Sequence, residues 1–185
     1  LVEGFAFSEE DRAYLASLDA PGGGRLFKQE FLDYLAGYRL SVDLDAVPEG
    51  TVVFPHEPIV RVCGPIMDCQ LIETALLNCV NFETLIATKA ARVCQAAQAP
   101  VAGLGLRRAQ GAAGGLGACR AAGVGGCAST SKLLAGKLFG IPVSGTHAHS
   151  WVMSFPDEIS AVRAYAEAFP KNCILLVDTY DVAQG

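Results

Sequence analysis

The sequence predicts an α/β protein, on three observations. Past Pro100, short apolar runs alternate with stretches of helical periodicity, the pattern of parallel strands joined by crossover helices. Ahead of Pro100, two short helices and a few strand-like runs make a small α/β unit that leads into a long helical region. Polar and charged residues collect directly after the apolar runs, at the strand ends where α/β sheets and barrels build their sites.

Each element has a local reason. Ser8-Glu-Glu-Asp11 places a hydroxyl cap three residues before a carboxylate, which starts a helix through Leu15 and Leu18 that is ended by Pro21-Gly-Gly-Gly24. A second helix is expected over Gln29 to Leu35. Leu40, Val42 and Leu44 alternate before the Pro48-Glu-Gly50 turn, and Thr51–Phe54 and Ile59–Cys63 read as further strands around the proline-flanked His56. From Met67 to about Gln98 the stripe Leu71, Ala75, Leu76, Cys79, Val80, Phe82, Leu85, Ile86, Ala90 has helical spacing, and Asn78 and Asn81 mark a break between two helices. Beyond Pro100 the expected order is a strand at 101–106, a Gly/Ala-rich segment at 111–126 and a helix from about Ser131 to Leu138. A strand at 141–143, a helix at 157–168 and a buried strand at 174–177 complete it. Gly123–Cys127 has room for one more short strand.

Composition narrows the function classes. Half the 185 residues are hydrophobic and the net charge is −5, with no basic run longer than Arg107-Arg108. That speaks against a nucleic-acid or anionic-membrane surface, which needs clustered cations. No apolar run approaches the roughly 18 residues of a membrane span. The first residues lack a signal-peptide pattern and an initiator Met, so the chain is expected to begin within a longer protein or after processing. Seven cysteines (63, 69, 79, 94, 119, 127, 173) form no C-x-x-C and are odd in number, which reads as reduced core residues of a cytoplasmic protein.

The chemistry concentrates in Gly145-Thr-His-Ala-His-Ser-Trp151. Two imidazoles at i and i+2 face one way on an extended backbone, beside hydroxyls, after a strand. His147 and His149 are candidates for proton transfer or nucleophilic attack, for metal ligation with a cysteine or Asp178, or for plain solvation. Arg107 and Arg108 follow the first strand, as a solvated pair or as a fork for a carboxylate or phosphate. Asp178 follows the last strand, facing a metal, a ribose hydroxyl or an imidazole, or capping a helix. Gly136-Lys137-Leu138 and Gly103-Leu-Gly105 lack the remainder of a P-loop and of a dinucleotide fingerprint. The 111–126 segment is a phosphate-cradling loop or a closely packed turn. These residues point to an α/β enzyme handling an anionic substrate.

Six stretches, taken in order, resemble the nicotinate phosphoribosyltransferase family: Glu49–Pro55, Gly64–Glu73, Leu106–Gly111, Leu134–Pro142, Gly145–Trp151 and Leu176–Asp181. The resemblance implies a type II phosphoribosyltransferase-like fold, an α/β N-terminal domain plus part of an irregular α/β barrel. Residues 1–97 are then part of the N-terminal domain with its connecting helices, and 98–185 the first half of the barrel domain. It implies that nicotinate and phosphoribosyl pyrophosphate give nicotinate mononucleotide and pyrophosphate, with Mg²⁺ and ATP as co-substrate, in NAD salvage. By motif position His149 becomes the phosphohistidine, and Leu106, Arg107, Gly145, Thr146 and Asp178 bind substrate. A cytoplasmic homodimer is implied for the full-length parent, with no nucleic-acid or membrane partner. Nicotinamide and quinolinate phosphoribosyltransferases are the neighbouring alternatives.

Departures from the family pattern are Ala113, Gly123, Ala128, Lys132 and Cys63, where Asp, Tyr, Asp, Asn and Glu are expected. The chain is under half the usual length and lacks the later strands and glycine loop. It therefore reads as a truncated portion, inactive by itself, or as a diverged copy.

Overall fold

The computed structural model describes residues 2–183. The chain divides into two compact units, residues 1–82 and 83–185, with the border inside one long helix.

In the first unit, helix α1 (Glu9–Ser17) starts on the expected capping box. Ser8 Oγ accepts from the Asp11 N–H at 3.0 Å, and the Asp11 carboxylate accepts from the Ser8 N–H at 2.9 Å. The Ser8 hydroxyl, donating to Asp11 Oδ2 at 2.6 Å, and then the Ser8 N–H hold the exposed Asp11 carboxyl below its ordinary value. Helix α2 (Gln29–Ala36) buries Leu32 and Leu35. Tyr38 is buried beside Phe5, Phe7 and Tyr34 in edge-on and tilted ring contacts. Burial pushes its phenol up to about 12, with the Asp68 carboxylate adding to the shift. Asp68, itself buried, accepts the Ser41 N–H at 2.8 Å. Strands β1 (Asp43–Ala46) and β2 (Val60–Cys63) pair antiparallel from Asp43↔Cys63 to Ala46↔Val60.

The strand expected at Thr51–Phe54 is not formed. Residues 47–59 are a connection with turns at Pro48–Thr51 and Phe54–Glu57, and His56 is exposed with φ 71°. Pro48, Pro55 and Pro58 have no N–H to donate to a ladder, and β1 and β2 already pair with each other. The break expected at Asn78 and Asn81 is also absent, because α3 runs unbroken from Ile66 to Ala96. Asparagine costs a helix only a few tenths of a kcal/mol, and the many Ala, Leu, Glu, Gln, Lys and Arg residues of α3 override it.

The second unit contains the end of α3, then β3 (Ala102–Gly103), a 3-10 turn (Gly105–Arg108), α4 (Gly111–Val124), β4 (Ser129–Thr130), α5 (Leu133–Phe139), α6 (His149–Val152) and α7 (Glu158–Ala168). β3 and β4 pair parallel, and Thr130 bridges Val143 in parallel on its other side. The strand expected over 101–106 is thus reduced to two residues, and that over 141–143 to one bridge. The Gly/Ala-rich segment is a helix, neither a phosphate loop nor a strand at 123–127. Its small residues permit close packing: a Cβ on Gly125 would collide with the Ala87 carbonyl oxygen and stand 2.8 Å from the Ala90 Cβ on α3. Gly140 caps α5 in the left-handed conformation at φ 68°. Asp157 caps α7, accepting the Ser160 N–H at 2.7 Å.

The core of this unit is made of small side chains: Ala90, Ala121, Ala135, Val152 and Ala161, with Thr130 at its centre. The buried strand expected at 174–177 is irregular chain without ladder pairing. Its Ile174, Leu175 and Val177 stay 40%, 39% and 38% exposed, because no described strand lies alongside to cover them. All seven cysteines are free thiols, as expected, but Cys63, Cys79 and Cys173 are exposed rather than core residues. Cys94 and Cys127 lie 3.9 Å apart, and burial together with Cys94 pushes the Cys127 thiol up.

Candidate active site

Parallel pairing puts three C-terminal strand ends on one edge of the second unit. β3 runs into Leu106 and Arg107, β4 into Ser131 and Lys132, and the Val143 bridge into Gly145 to His149. Thr130 ties the three together. Its N–H donates to the Pro142 carbonyl at 2.9 Å, its carbonyl accepts from Ser144 at 3.0 Å, and its hydroxyl accepts from the Lys132 N–H at 3.2 Å. Gly145 lies against this edge, where a Cβ would sit 3.9 Å from that of Ser131.

His149 is the first residue of α6, so the backbone of the two histidines is not extended throughout. The imidazole is half-exposed and held between two side chains. Nδ1 is 3.2 Å from Thr179 Oγ1, and Nε2 is 3.9 Å from Asp178 Oδ1. If Thr179 accepts from Nδ1–H, Nε2 keeps its lone pair; if Thr179 donates, Nε2–H faces the Asp178 carboxylate. In each of these two tautomers the ring is flanked by a hydroxyl and a carboxylate that can orient it. Thr146 turns its hydroxyl to the His147 carbonyl at 2.9 Å. His147 accepts the Leu176 N–H on Nε2 at 3.2 Å and packs edge-on against Tyr165. Trp151 anchors the segment by donating to the Ala161 carbonyl at 3.2 Å.

The structure therefore brings His149 and Asp178 together, with Thr179 as a partner that sequence reasoning missed. Among the described residues Asp178 caps no helix: bends at Thr179 and Tyr180 and a turn at 182–183 follow it. Leu106 and Arg107 share the edge, but no hydrogen bond or ion pair links Arg107 to His149, and neither Arg107 nor Arg108 has an ion-pair partner among the described residues. Lys132 donates from Nζ to the Ala112 carbonyl at 3.1 Å, in the first turn of α4. A concavity of about 470 Å³ in the first unit, lined by residues 2–6 with Arg39 and Leu40, contains none of these residues.

Among the described residues no three His, Cys, Asp or Glu side chains converge as a metal cage. Mg²⁺ needs less from a protein: one or two carboxylates, with phosphates and water completing six oxygens. The half-exposed Asp178 carboxylate fits that smaller requirement. No helix among the described residues is long and apolar enough to cross a membrane.

Comparison with known proteins supplies the context. Residues 1–81 match the nicotinate phosphoribosyltransferase (NAPRTase) N-terminal domain. The whole chain is 46% identical to nicotinate phosphoribosyltransferase of Bacillus subtilis and 44% identical to nicotinate phosphoribosyltransferase pncB2 of Mycobacterium tuberculosis. It covers 36% and 38% of those proteins, so it spans well under half their length. The crystal structure of human nicotinic acid phosphoribosyltransferase superposes with a TM-score of 0.81 at 34% identity, over 98% of this chain and 45% of that one. The fold is that of part of a type II phosphoribosyltransferase, an α/β N-terminal domain followed by part of an irregular α/β barrel. By domain match over residues 1–81, by identity over all of its own length and by fold, this chain is similar to part of the nicotinate phosphoribosyltransferases.

Proposed function

We propose that the chain forms the N-terminal domain and first barrel segment of an enzyme that joins nicotinate to phosphoribosyl pyrophosphate, releasing pyrophosphate, with ATP hydrolysis coupled through His149. Residues 1–97 then belong to the N-terminal domain and 98–185 to the barrel. The observation that carries this reading is the His149 imidazole held between Thr179 Oγ1 and Asp178 Oδ1 at an open strand-end edge.

A ring nitrogen of His149 attacks the γ-phosphorus of ATP, the bond to the bridging oxygen breaks, and ADP leaves. Asp178 or Thr179 steadies the other nitrogen as the ring acquires positive charge. Mg²⁺, when bound beside Asp178, neutralises phosphate oxygens. Gly145 and Thr146 offer a close backbone approach and a hydroxyl at the same mouth. Arg107, unpaired among the described residues, is the cation for a carboxylate or phosphate. A guanidinium there selects nicotinate over its uncharged amide. Leu106, its neighbour in sequence at the strand end, belongs to the same substrate-binding set. The cytosol as location and a homodimer as assembly are part of the same proposal.

The test is incubation with γ-labelled ATP and Mg²⁺, scoring acid-labile phosphate on the protein. Label lost in His149→Asn supports the reading. Label that persists in His149→Asn refutes this residue as the acceptor. No label on wild type, in this chain and in a full-length parent alike, favours the diverged, inactive copy that Ala113, Gly123 and Ala128 leave open.

A further inference from the structure

Segment 173–178 reaches the site without a strand ladder. Among the described residues, the one hydrogen bond made by 173–177 is that from the Leu176 N–H to His147 Nε2, at 3.2 Å. Two residues further on, Asp178 and Thr179 meet His149. We propose that His147 is a positioning residue: a neutral imidazole, protonated on Nδ1, whose Nε2 clasps the Leu176 N–H and so holds Asp178 and Thr179 against His149.

The donor in this contact is unambiguous, because a backbone N–H can only donate. Nε2 must then carry a lone pair, and the neutral ring carries its proton on Nδ1. Nδ1 is buried and has no hydrogen-bond partner, so nothing else in the described structure dictates this tautomer. The ring is further fixed by Tyr165, whose centroid lies 4.8 Å away at an interplanar angle of 67°. A ring locked by one aromatic neighbour and one backbone amide is a rigid support for a segment that lacks strand neighbours. The spacing explains why two histidines two apart do different jobs. His147 fixes the incoming chain at Leu176, and His149 receives what that chain delivers at Asp178 and Thr179.

Two substitutions separate the clasp from mere packing. In His147→Gln the side-chain oxygen lies as many bonds from Cα as Nε2 does, so the acceptor is retained. His147→Phe keeps a ring against Tyr165 and has no acceptor. Nitrogen NMR of histidine-labelled wild type should show His147 as the Nδ1–H tautomer near neutral pH; an Nε2–H tautomer overturns the proposal. Amide hydrogen exchange at Leu176 should be faster by about tenfold or more in His147→Phe and within about threefold of wild type in His147→Gln. The His149 ring signals should shift in His147→Phe and return in His147→Gln. Wild-type protection at Leu176 in His147→Phe, or equal loss in both variants, refutes the clasp. Should His147→Phe fail to fold, the wild-type tautomer and His147→Gln still decide.

The proposal deepens the phosphohistidine reading and rests on it only for catalytic consequence. Exchange and tautomer need no nucleotide, so a clasp without His149 labelling would sink the function alone, and labelling without a clasp would sink the clasp alone.

Discussion

Thr130 offers the sharpest test of how the strand-end edge is held. It is 2% exposed, and its hydroxyl is the acceptor for the Lys132 N–H at 3.2 Å, with Cys119 Sγ at 3.3 Å and the Gly103 carbonyl at a long 3.4 Å. Thr130→Val conserves shape and deletes that acceptor. Leaving one amide donor unsatisfied costs about 1–3 kcal/mol. The new methyl recovers at most about 0.8 kcal/mol. The net expectation is a loss of up to about 2 kcal/mol, a factor of up to roughly 30 in the folded-to-unfolded ratio of the second unit. Thr130→Ser keeps the hydroxyl and loses a methyl, at about 1 kcal/mol. Totals alone do not separate the two variants, so the assay is residue-resolved amide exchange combined with urea unfolding. The Lys132 amide should lose protection beyond the global change in Thr130→Val and track it in Thr130→Ser. Equal Lys132 protection in both variants would refute the idea that the hydroxyl, rather than the methyl, ties β4 to the site loop.

Two further outcomes follow from the same structure. Gly125→Ala forces a methyl into the Ala87 carbonyl and the Ala90 side chain, where backbone cannot yield cheaply; about 1–3 kcal/mol should be lost, read as a lower urea midpoint, and a neutral substitution would show that α3 and α4 are packed less closely. The exposed Asp157 carboxyl is held below its ordinary 3.8, first by the backbone hydrogen bond from Ser160 and then by the Ser160 side chain. A depressed folded value means its stabilisation of α7 is complete above the unfolded pKa and lost as pH falls through the folded one. Ser160 amide exchange, corrected for intrinsic pH dependence, should therefore rise in that acid window in wild type and be flat there in Asp157→Asn.

Local chemistry was legible wherever one segment suffices. The capping box at Ser8–Asp11, the helices at 29–36 and 158–168 and the β2 strand all rest on neighbours in sequence. The strand-end rule placed Gly145–His149 on the edge beside β4, but Asp178 reaches His149 from a segment that pairs with no strand, which the rule did not provide. The resemblance to a family rested on six ordered motifs and matched the relatives over the whole chain.

What required the tertiary structure was every state set by a distant partner. A helix at 111–124 could not be read from a glycine-rich string, since glycine disfavours helix by about 1 kcal/mol each and only packing against distant neighbours such as Leu106, Lys132 and Ile141 offsets that. The same logic in reverse removed the strands at 51–54 and 174–177: an apolar β-prone run becomes a strand only when another backbone takes its hydrogen bonds. Thr179 beside His149, and His147 under Leu176, join residues thirty and twenty-nine positions apart, with no spacing rule to announce them. The sequence by itself determined the capping box at Ser8–Asp11, the likeness to nicotinate phosphoribosyltransferases and the order of the site segments. The tertiary structure decided which imidazole meets the acid and which holds the chain, because hydrogen bonds select partners by position in space and not by separation along the chain.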